Sequence, residues 1–353
     1  MSLFFDGPVP IEDAITFTQA QPIPSNNALT QMFPRRDFDT DEVDFGTIFK
    51  TNRVVKFRNW DGSFEPVARD TGQDKRIKLL PLGGTLETGE YERRQIEHAR
   101  TGGTFVQSLV SAIYNDLENL TRYAFNRLEL AWGDVLSDGR IDINENGVNL
   151  SLDFGLKSSQ QVTPAGSLWS DHANSKPLDD LRAWRAAYVK ENGVPPAQYL
   201  TSSEVLANLQ VNTQLINAIK GAQTGVTTVT IQEINGLLAG FGLPAFIVPP
   251  DLQNGGSLYD SNMDVDGEAV RVLDASKLLM LPANLGDLGF TAWGTPTTAY
   301  ELKNSGVQTT PAPGMVGILV REDNPPFRKN VYVDAVGLPV ISDPRKLLIA
   351  TVA

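Results

Sequence analysis

The sequence predicts an α+β protein, in which one long helix and several short ones are combined with strands along the chain. Residues 104–136 carry apolar side chains at a spacing of three or four throughout, which is typical of an amphipathic helix. Alternating apolar and polar residues on both sides of Asn146-Gly147 predict a β-hairpin. Between residues 177 and 320, short helical patterns are mixed with strand-like runs. Helical and strand patterns in the same stretch favour the α+β class.

The first 48 residues are rich in Pro, Asn, Asp and Thr, and their apolar side chains follow no sustained period. Such a segment predicts an extended arm that is ordered mainly by docking onto another surface. The end of this arm is acidic, because residues 37–44 include five Asp or Glu side chains.

Residues 49–82 reverse the charge of the chain. They contain eight basic and four acidic residues, whereas the whole chain has a net charge of −12. Residues 55–58 alternate apolar and basic side chains, and Asp61-Gly62 supplies a hairpin turn before a second strand-like run around 76–80. We therefore predict a two-stranded tongue over 49–82. A ribbon of two strands is marginal alone in water, so the tongue needs a surface to lie on.

The long helix is predicted to begin at a capping box formed by Thr104 and Gln107 and to end at Ser137-Asp138-Gly139. At 1.5 Å per residue such a helix is about 50 Å long. The hairpin around Asn146 follows it, and a polar linker over 158–167 comes next.

A further helix is predicted to begin at Pro177 and to end before Gly193. Two more capping boxes, Thr201 to Glu204 and Thr230 to Glu233, open short apolar runs. Strand-like pieces lie between or after these helices, at residues 245–248, 269–273, 278–281 and 316–320. The last stretch, 330–353, predicts a strand, a turn at Ser342-Asp343-Pro344 and a second strand.

Composition excludes several kinds of chemistry. The chain has no Cys, so it can form neither a disulfide framework nor a thiolate metal site. Its net charge of −12 argues against the chain as a whole binding a phosphate backbone. The acidity alone identifies no partner, because solubility also explains it. The start of the chain resembles no signal peptide and no apolar run is long enough for a membrane span, so a soluble protein made in a cytoplasm is expected.

Catalytic and metal-binding motifs are weak. A serine triad can be sketched from Asp171-His172 and the nearby Ser167, Ser170 or Ser175, but no nucleophile elbow accompanies it, and the other histidine is His98. Residues 142–153 match most of a calcium loop, yet their flanks alternate like strands, so a hairpin turn is the simpler interpretation. No phosphate-binding glycine pattern is present. We expect no cofactor, no metal and no enzymatic activity.

The order of these elements resembles the major capsid proteins of tailed bacteriophages, and more closely the lambda-type major capsid protein E family. The similarity is carried by the following stretches: Phe57-Arg58-Asn59-Trp60-Asp61-Gly62, Arg69-Asp70-Thr71-Gly72, Gly166-Ser167-Leu168-Trp169-Ser170, Pro177-Leu178-Asp179-Asp180-Leu181, Leu338-Pro339-Val340-Ile341-Ser342-Asp343-Pro344 and Ala350-Thr351-Val352-Ala353.

The resemblance implies the Hong Kong 97-type phage capsid fold. Its parts would be an N-terminal arm (1–48), an extended loop (49–82), a peripheral domain (83–175 with 321–353) that includes the spine helix 104–136, and an axial domain (176–320). The chain would then be a structural head protein in the virion, assembled in the host bacterial cytoplasm. Its partners would be further copies of itself in hexamers and pentamers, portal and scaffold proteins, possible decoration proteins, and packaged double-stranded DNA contacted without specificity, but no membrane.

Contacts between subunits are predicted where the basic tongue meets the acidic side of the spine helix, or the acidic arm, of a neighbouring copy. The candidate contact residues are Arg53, Lys56, Phe57, Arg58, Trp60, Lys75, Arg76, Asp116, Glu118 and Glu129. Three alternatives stay open: a solvated charged hairpin with no partner, an encapsulin-like compartment shell, and a hydrolase that uses His172.

Overall fold

A computed structural model describes residues 2–3, 9–40, 42–48, 72–88, 105–222, 225–248, 256–307, 309–321 and 328–353. The helices, in chain order, are α1 Ile11–Ala20, α2 Ala28–Met32, α3 Phe105–Asp138, α4 Pro177–Asn192, α5 Ser203–Gln210, α6 Thr213–Lys220, α7 Ile231–Gly240 and α8 Thr297–Asn304. The strands before residue 165 are β1 Ser2–Leu3, β2 Arg35–Asp37, β3 Glu42–Ile48, β4 Gly72–Lys78, β5 Pro81–Thr88, β6 Arg140–Glu145, β7 Val148–Asp153 and β8 Gln161–Val162. The later strands are β9 Gln198–Thr201, β10 Asn262–Val265, β11 Glu268–Arg271, β12 Lys277–Leu281, β13 Gly289–Gly294, β14 Met315–Arg321, β15 Lys329–Ile341 and β16 Leu348–Thr351.

The predicted long helix is confirmed as α3, which has 34 residues. Its apolar stripe is buried as the spacing predicts, with Leu117 fully covered and Leu128 2% exposed. These side chains pack on Val331 and Val333 of the long strand β15. Burial of each such leucine stabilises the fold by about 1.5–3 kcal/mol. The predicted capping box at Thr104 lies outside the described residues.

A six-stranded sheet carries α3 on one of its faces. The strand order is β1-β14-β15-β13-β2, and β5 pairs with the other edge of β15. In β13 all six residues are buried, so its sequence lacks the alternation by which strands are recognised, and the sequence did not predict it.

A second, four-stranded sheet has the order β8-β16-β12-β9 and separates two apolar cores. Side chains of β12 alternate between them: Leu278 and Met280 face the core formed with α4–α7, whereas Leu279 and Leu281 face the core beneath α3. The polar linker predicted at 158–167 is partly wrong, because Gln161 and Val162 pair with the edge of this sheet.

Several local predictions are confirmed. The hairpin β6–β7 turns at Asn146 (φ 49°) and Gly147 (φ 80°), the left-handed pair that a two-residue hairpin turn requires. Helix α4 begins at Pro177, and Gly193 follows its end. The capping box of Thr230 and Glu233 opens α7. The C-terminal strand, turn and strand are β15 and β16 with a short 3-10 turn between them.

Two other local predictions are wrong. Ser202, rather than Thr201, caps α5, because Thr201 is the last residue of β9 and its hydroxyl donates to the Lys277 carbonyl. Residues 245–248 form no strand, since the backbone N–H groups of Phe246 and Ile247 donate to the side chains of Asn235 and Ser257.

The expectation of an extended N-terminal arm is also wrong for much of its length. Residues 11–20 form α1, whose Ala14 and Ile15 are buried against the sheet and α3. The arm therefore docks on its own chain. Its apolar residues showed no clear period because α1 is only ten residues long and is followed by the non-helical residues 21–27.

The sheets cross the domain division that the resemblance implied, which itself stays a prediction. Strands β13 and β14 lie within residues 176–320 or at their end, yet both belong to the six-stranded sheet. Strand β16 lies within 321–353 and belongs to the four-stranded sheet. No helix among the described residues is long and apolar enough to cross a membrane.

Candidate assembly surfaces around the long helix

The predicted tongue is present as an antiparallel ribbon, but its stem begins earlier in the chain than predicted. Strands β3 and β4 pair from Glu42 opposite Lys78 to Ile48 opposite Gly72. The ribbon thus starts at residue 42 rather than 49. Its pairing ends at Lys78, and Pro81, which the prediction included in the tongue, begins the next strand, β5. The predicted turn at residues 61–62 lies outside the described residues.

The stem is anchored on the protein's own core. Val43 is fully buried, and Ile77 and Leu79 are 2% and 6% exposed. All three belong to the core beneath α3. The base of the ribbon therefore needs no second subunit in order to fold. The predicted need for a supporting surface now concerns only the residues between Ile48 and Gly72.

Charges at the base of the stem are partly matched within the chain. The Arg76 guanidinium lies 3.4 Å from the Glu42 carboxylate, and the Lys78 ammonium lies 3.8 Å from it. Both basic side chains are largely exposed, at 66% and 78%, so these contacts are weak. Lys75 is placed in β4 opposite residue 45, but its side chain is outside the description.

The other predicted tongue contacts cannot be placed. Arg53, Lys56, Phe57, Arg58 and Trp60 lie outside the described residues. On α3, Glu118 is exposed and Asp116 is half-buried, so the two remain candidates for contact with a neighbour.

Glu129 is not an exposed contact residue, and this prediction is wrong. It is fully buried, and its carboxylate joins three segments of the chain. Oε1 accepts hydrogen bonds from the Leu29 N–H (2.8 Å) and the Tyr259 hydroxyl (2.6 Å). Oε2 accepts from the N–H and the hydroxyl of Thr30, both at 2.7 Å. Burial and the adjacent carboxylate raise the pKa of Tyr259, so its hydroxyl stays a donor.

The role of Glu129 is to cap α2 from a distance. The first N–H groups of a helix have no partner within it. The side chain of Asn27, the residue before α2, makes no capping hydrogen bond. Glu129 supplies the missing acceptor, and stacking of Phe33 on Trp132 (ring centroids 3.7 Å apart) fixes the same segment to α3.

A sequence signal for this burial exists. Phe125 and Trp132 stand four residues before and three residues after Glu129, on the same side of the helix, and both are buried. Because these two aromatic residues are apolar, the buried side of the helix is broad enough to include position 129.

A cleft of about 400 Å³ opens beside α3. Its lining is mainly apolar and comes from α3, from the start of β5, from the hairpin β6–β7 and from β15, namely Leu80, Pro81, Leu82, Gly83, Gly84, Leu120, Tyr123, Ala124, Arg127, Leu128, Ala131, Ile143, Glu145, Asn146, Val148, Gly337, Leu338 and Pro339. At its rim Tyr123 is 51% exposed, and an ion pair of 2.8 Å joins Arg127 to Glu145. The apolar floor and open mouth suit an apolar side chain from another molecule.

The residues sketched as a serine triad bind other groups. His172 Nε2 lies 2.9 Å from the Asn208 side-chain oxygen. The Asp171 carboxylate accepts from Asn174, and these hydrogen bonds lower its pKa. The Ser175 hydroxyl accepts from Asn212. His98 lies outside the described residues.

The calcium-loop alternative is wrong, because the segments that flank Asn146-Gly147 are the paired strands β6 and β7. Among the described residues, no three His, Asp or Glu side chains converge on a point.

Comparison with known proteins identifies the family. A family model described as "Phage major capsid protein E" matches residues 16–352. No curated protein sequence matches the chain significantly. Among solved structures, a protein assigned as a prophage capsid protein of Escherichia coli CFT073 is 16% identical, with a TM-score of 0.58 and 95% of each chain covered.

A phage-related protein of Bordetella bronchiseptica is 12% identical, with a TM-score of 0.52, over 95% of this chain and 94% of that chain. The predicted Hong Kong 97-type capsid fold is confirmed by these structural matches, and the α+β class by the arrangement of helices and sheets. The chain belongs to the phage major capsid protein E family, whose members are structural shell proteins.

Proposed function

We propose that this protein is the major head subunit of a tailed bacteriophage and assembles, as pentamers and hexamers, into an icosahedral shell around double-stranded DNA. The family match over residues 16–352 is the observation that carries the proposal. The subunit works by repeated contacts between copies and performs no catalysis. Assembly takes place in the host bacterial cytoplasm, on a scaffold and around a portal.

The contact between subunits is formed by the tongue. Its stem, β3–β4, is held on the subunit's own core by Val43 and Ile77, and 23 residues, 49–71, come between the two strands in the sequence. Among them Arg53, Lys56 and Arg58 bring positive charge to an otherwise acidic chain. Their partners are Asp116 and Glu118 on a neighbouring copy's α3, or that copy's acidic arm. Electrostatic contacts of this kind set register and partner choice more than affinity.

Charge reversal of the tongue tests this contact. The triple variant Arg53→Glu, Lys56→Glu, Arg58→Glu is expected to remain a folded subunit that forms no shells, because the stem's buried anchors are untouched. The matched control reverses three exposed basic residues that lie outside both the tongue and α3, namely Lys176, Lys190 and Lys303. Circular dichroism reports folding and electron microscopy reports shells. Normal shells from the triple variant would refute the contact.

Scaffold and DNA are proposed to meet the polar side of α3. If scaffold docks there by charge, its effect on assembly should weaken steeply as salt is raised. Assembly that is independent of salt would count against this part of the proposal. A decoration protein, where one is present, would bind the outer surface of the finished shell.

Electron microscopy of the purified protein, alone and with candidate scaffold, tests the proposed function as a whole. Closed shells that contain DNA or are empty are the expected result. Shells that enclose a cargo enzyme would favour an encapsulin-like compartment instead. Catalytic turnover that is lost in His172→Ala would overturn the structural role.

A further inference from the structure

Strand β5 has an open outer edge among the described residues, because it pairs with β15 along its other edge only. The Gly337 N–H donates to the Leu80 carbonyl, and this bond sets the alternation of the ladder. Every second residue of β5 bonds to β15, whereas Gly83, Thr85 and Glu87 direct their N–H and C=O groups outward. Within the part of the chain that the structure describes, nothing accepts from these three N–H groups. All three residues are exposed.

Open strand edges are usually protected in proteins that stay single in water. Lys side chains, bulges, Pro residues or a covering helix keep another strand from pairing there. In β5 the Pro comes at the first position, Pro81, and the acidic Glu87 is paired with Arg328 of the same chain at 3.2 Å. The residues between Pro81 and Glu87 carry no charge. Residues 83–87 therefore form an edge on which a further strand can pair.

We propose that β5 pairs with β5 of a second copy of the chain, antiparallel and about a two-fold axis that passes beside Thr85. The inference rests on the proposed function, because an icosahedral shell places copies of its subunit around two-fold axes. A contact across such an axis is isologous, so the surface must be complementary to itself. The pairing joins the six-stranded sheets of two subunits into one sheet and covers both open edges.

The backbone groups and the charges fit this register. Thr85 lies opposite Thr85 of the second copy, and Gly83 lies opposite Glu87, so three residue pairs each exchange two hydrogen bonds. The two Glu87 residues are then about 13 Å apart along the strands, at 3.3 Å per residue. A register centred on Glu87 would place the two carboxylates opposite each other. One centred on Gly83 would place Thr85 opposite Pro81, which has no N–H.

Apolar contacts favour the same register. Leu86 and Gly84 lie on the face of β5 that packs against α3, where a Cβ added at Gly84 would be 3.1 Å from Leu120. Gly84 also lines the apolar cleft, together with Tyr123. In the proposed pairing, Leu86 of each copy lies opposite Gly84 of the other and fills the space that the missing side chain leaves. A register centred on Gly84 would place two glycines opposite each other and leave that space empty.

A single Cys tests the position of the axis, because the natural chain contains none. Residues opposite each other in a hydrogen-bonded antiparallel pair have Cα atoms about 5.5 Å apart, which is within the range of a disulfide. Particles assembled from Thr85→Cys are oxidised and analysed on a denaturing, non-reducing gel. The matched control is Ser151→Cys, which introduces the same group at an exposed position of β7.

We expect Thr85→Cys to be recovered mainly as disulfide-linked dimers and Ser151→Cys to remain monomeric. Particles that form normally while Thr85→Cys stays monomeric would overturn the pairing alone, as would equal yields of dimer from the two variants. Electron microscopy of the unmodified chain separates this result from a failure of the proposed function. If that chain forms no particles, the proposed function is overturned and the pairing with it.

Removal of the outward N–H supplies a second test. Thr85→Pro removes it without breaking a bond to β15, and Pro is tolerated on a strand edge that faces solvent. The subunit should remain folded in urea unfolding, while the subunit concentration needed for half-maximal assembly rises about tenfold or more. Thr85→Val keeps the N–H and is the matched control, which should assemble normally. A folded Thr85→Pro subunit that assembles like Thr85→Val would contradict the proposal, and the Cys experiment decides if Thr85→Pro does not fold.

Discussion

Replacement of Glu129 by Gln should loosen the N-terminal segment from α3 without changing the size of the side chain. The carboxylate accepts hydrogen bonds from four neutral donors, two at each oxygen. In Gln one oxygen becomes an NH₂ group. The hydroxyl beside that group, on Thr30 or Tyr259, can turn and accept from it, but the backbone N–H of Thr30 or Leu29 at the same position cannot.

One buried backbone donor is therefore left without a partner in either orientation of the amide. An unsatisfied buried donor costs about 1–3 kcal/mol, and the remaining bonds lose their charge assistance. Relief of the buried charge offsets part of this loss. We expect Glu129→Gln to lower the free energy of unfolding by about 2–3 kcal/mol, and Glu129→Ala, which orphans both backbone donors, by about 4 kcal/mol.

Urea unfolding of the unassembled subunit measures the global effect, and limited trypsin digestion at the exposed Arg35 and Arg36 reports local release of the segment. Glu118→Gln on the same helix is the matched control and should change stability by less than about 0.5 kcal/mol. If Glu129→Gln matches this control in both assays, the hydrogen-bonding role assigned to Glu129 is refuted.

Two further predictions concern close packing and an ion pair. A Cβ added at Gly133 would overlap the Val272 carbonyl, so Gly133→Ala should destabilise the fold by about 3 kcal/mol or more. Gly236 lies in the open middle of α7, so Gly236→Ala should stabilise the fold by about 0.5–1 kcal/mol. Urea unfolding measures both variants, and equal effects would contradict the predicted difference in packing. The hydrogen bond from Lys220 lowers the pKa of Glu233 from 4.5 to about 2. Because the folded-state pKa lies below the unfolded value, the stabilisation is present above about pH 4.5 and is lost as the pH falls towards 2. The Tm difference between the natural chain and Glu233→Gln should therefore shrink over that range, and a difference that is constant with pH would refute it.

Local patterns predicted much of this fold because they depend on neighbouring residues alone. The apolar period of α3, the Asn146-Gly147 turn and the Pro177 start of α4 each report a conformation that the segment favours by itself. The same reasoning failed where tertiary contacts decide. All six residues of β13 are buried, so the strand shows no alternation of apolar and polar side chains. In residues 245–248, backbone N–H groups donate to the side chains of Asn235 and Ser257 instead of to a neighbouring strand.

The candidate site was predictable in its outline and not in its partners. The local excess of basic residues and the alternation of apolar and basic side chains predicted the tongue. The structure then showed that its stem is held on the subunit's own core by Val43 and Ile77. The error at Glu129 has a physical cause. Charge counting treats an acidic residue on a helix as exposed, whereas α2 needs an acceptor for its first N–H groups and finds it at that position. Sequence alone could not show which segment would lie across α3.

A cryo-electron microscopy reconstruction of assembled particles tests the central claim most directly. The account predicts subunits arranged in five- and six-membered rings of a closed icosahedral shell, with each ribbon continuing from its stem at Ile48 and Gly72 onto an adjacent subunit. A ribbon that folds back on its own subunit would contradict it.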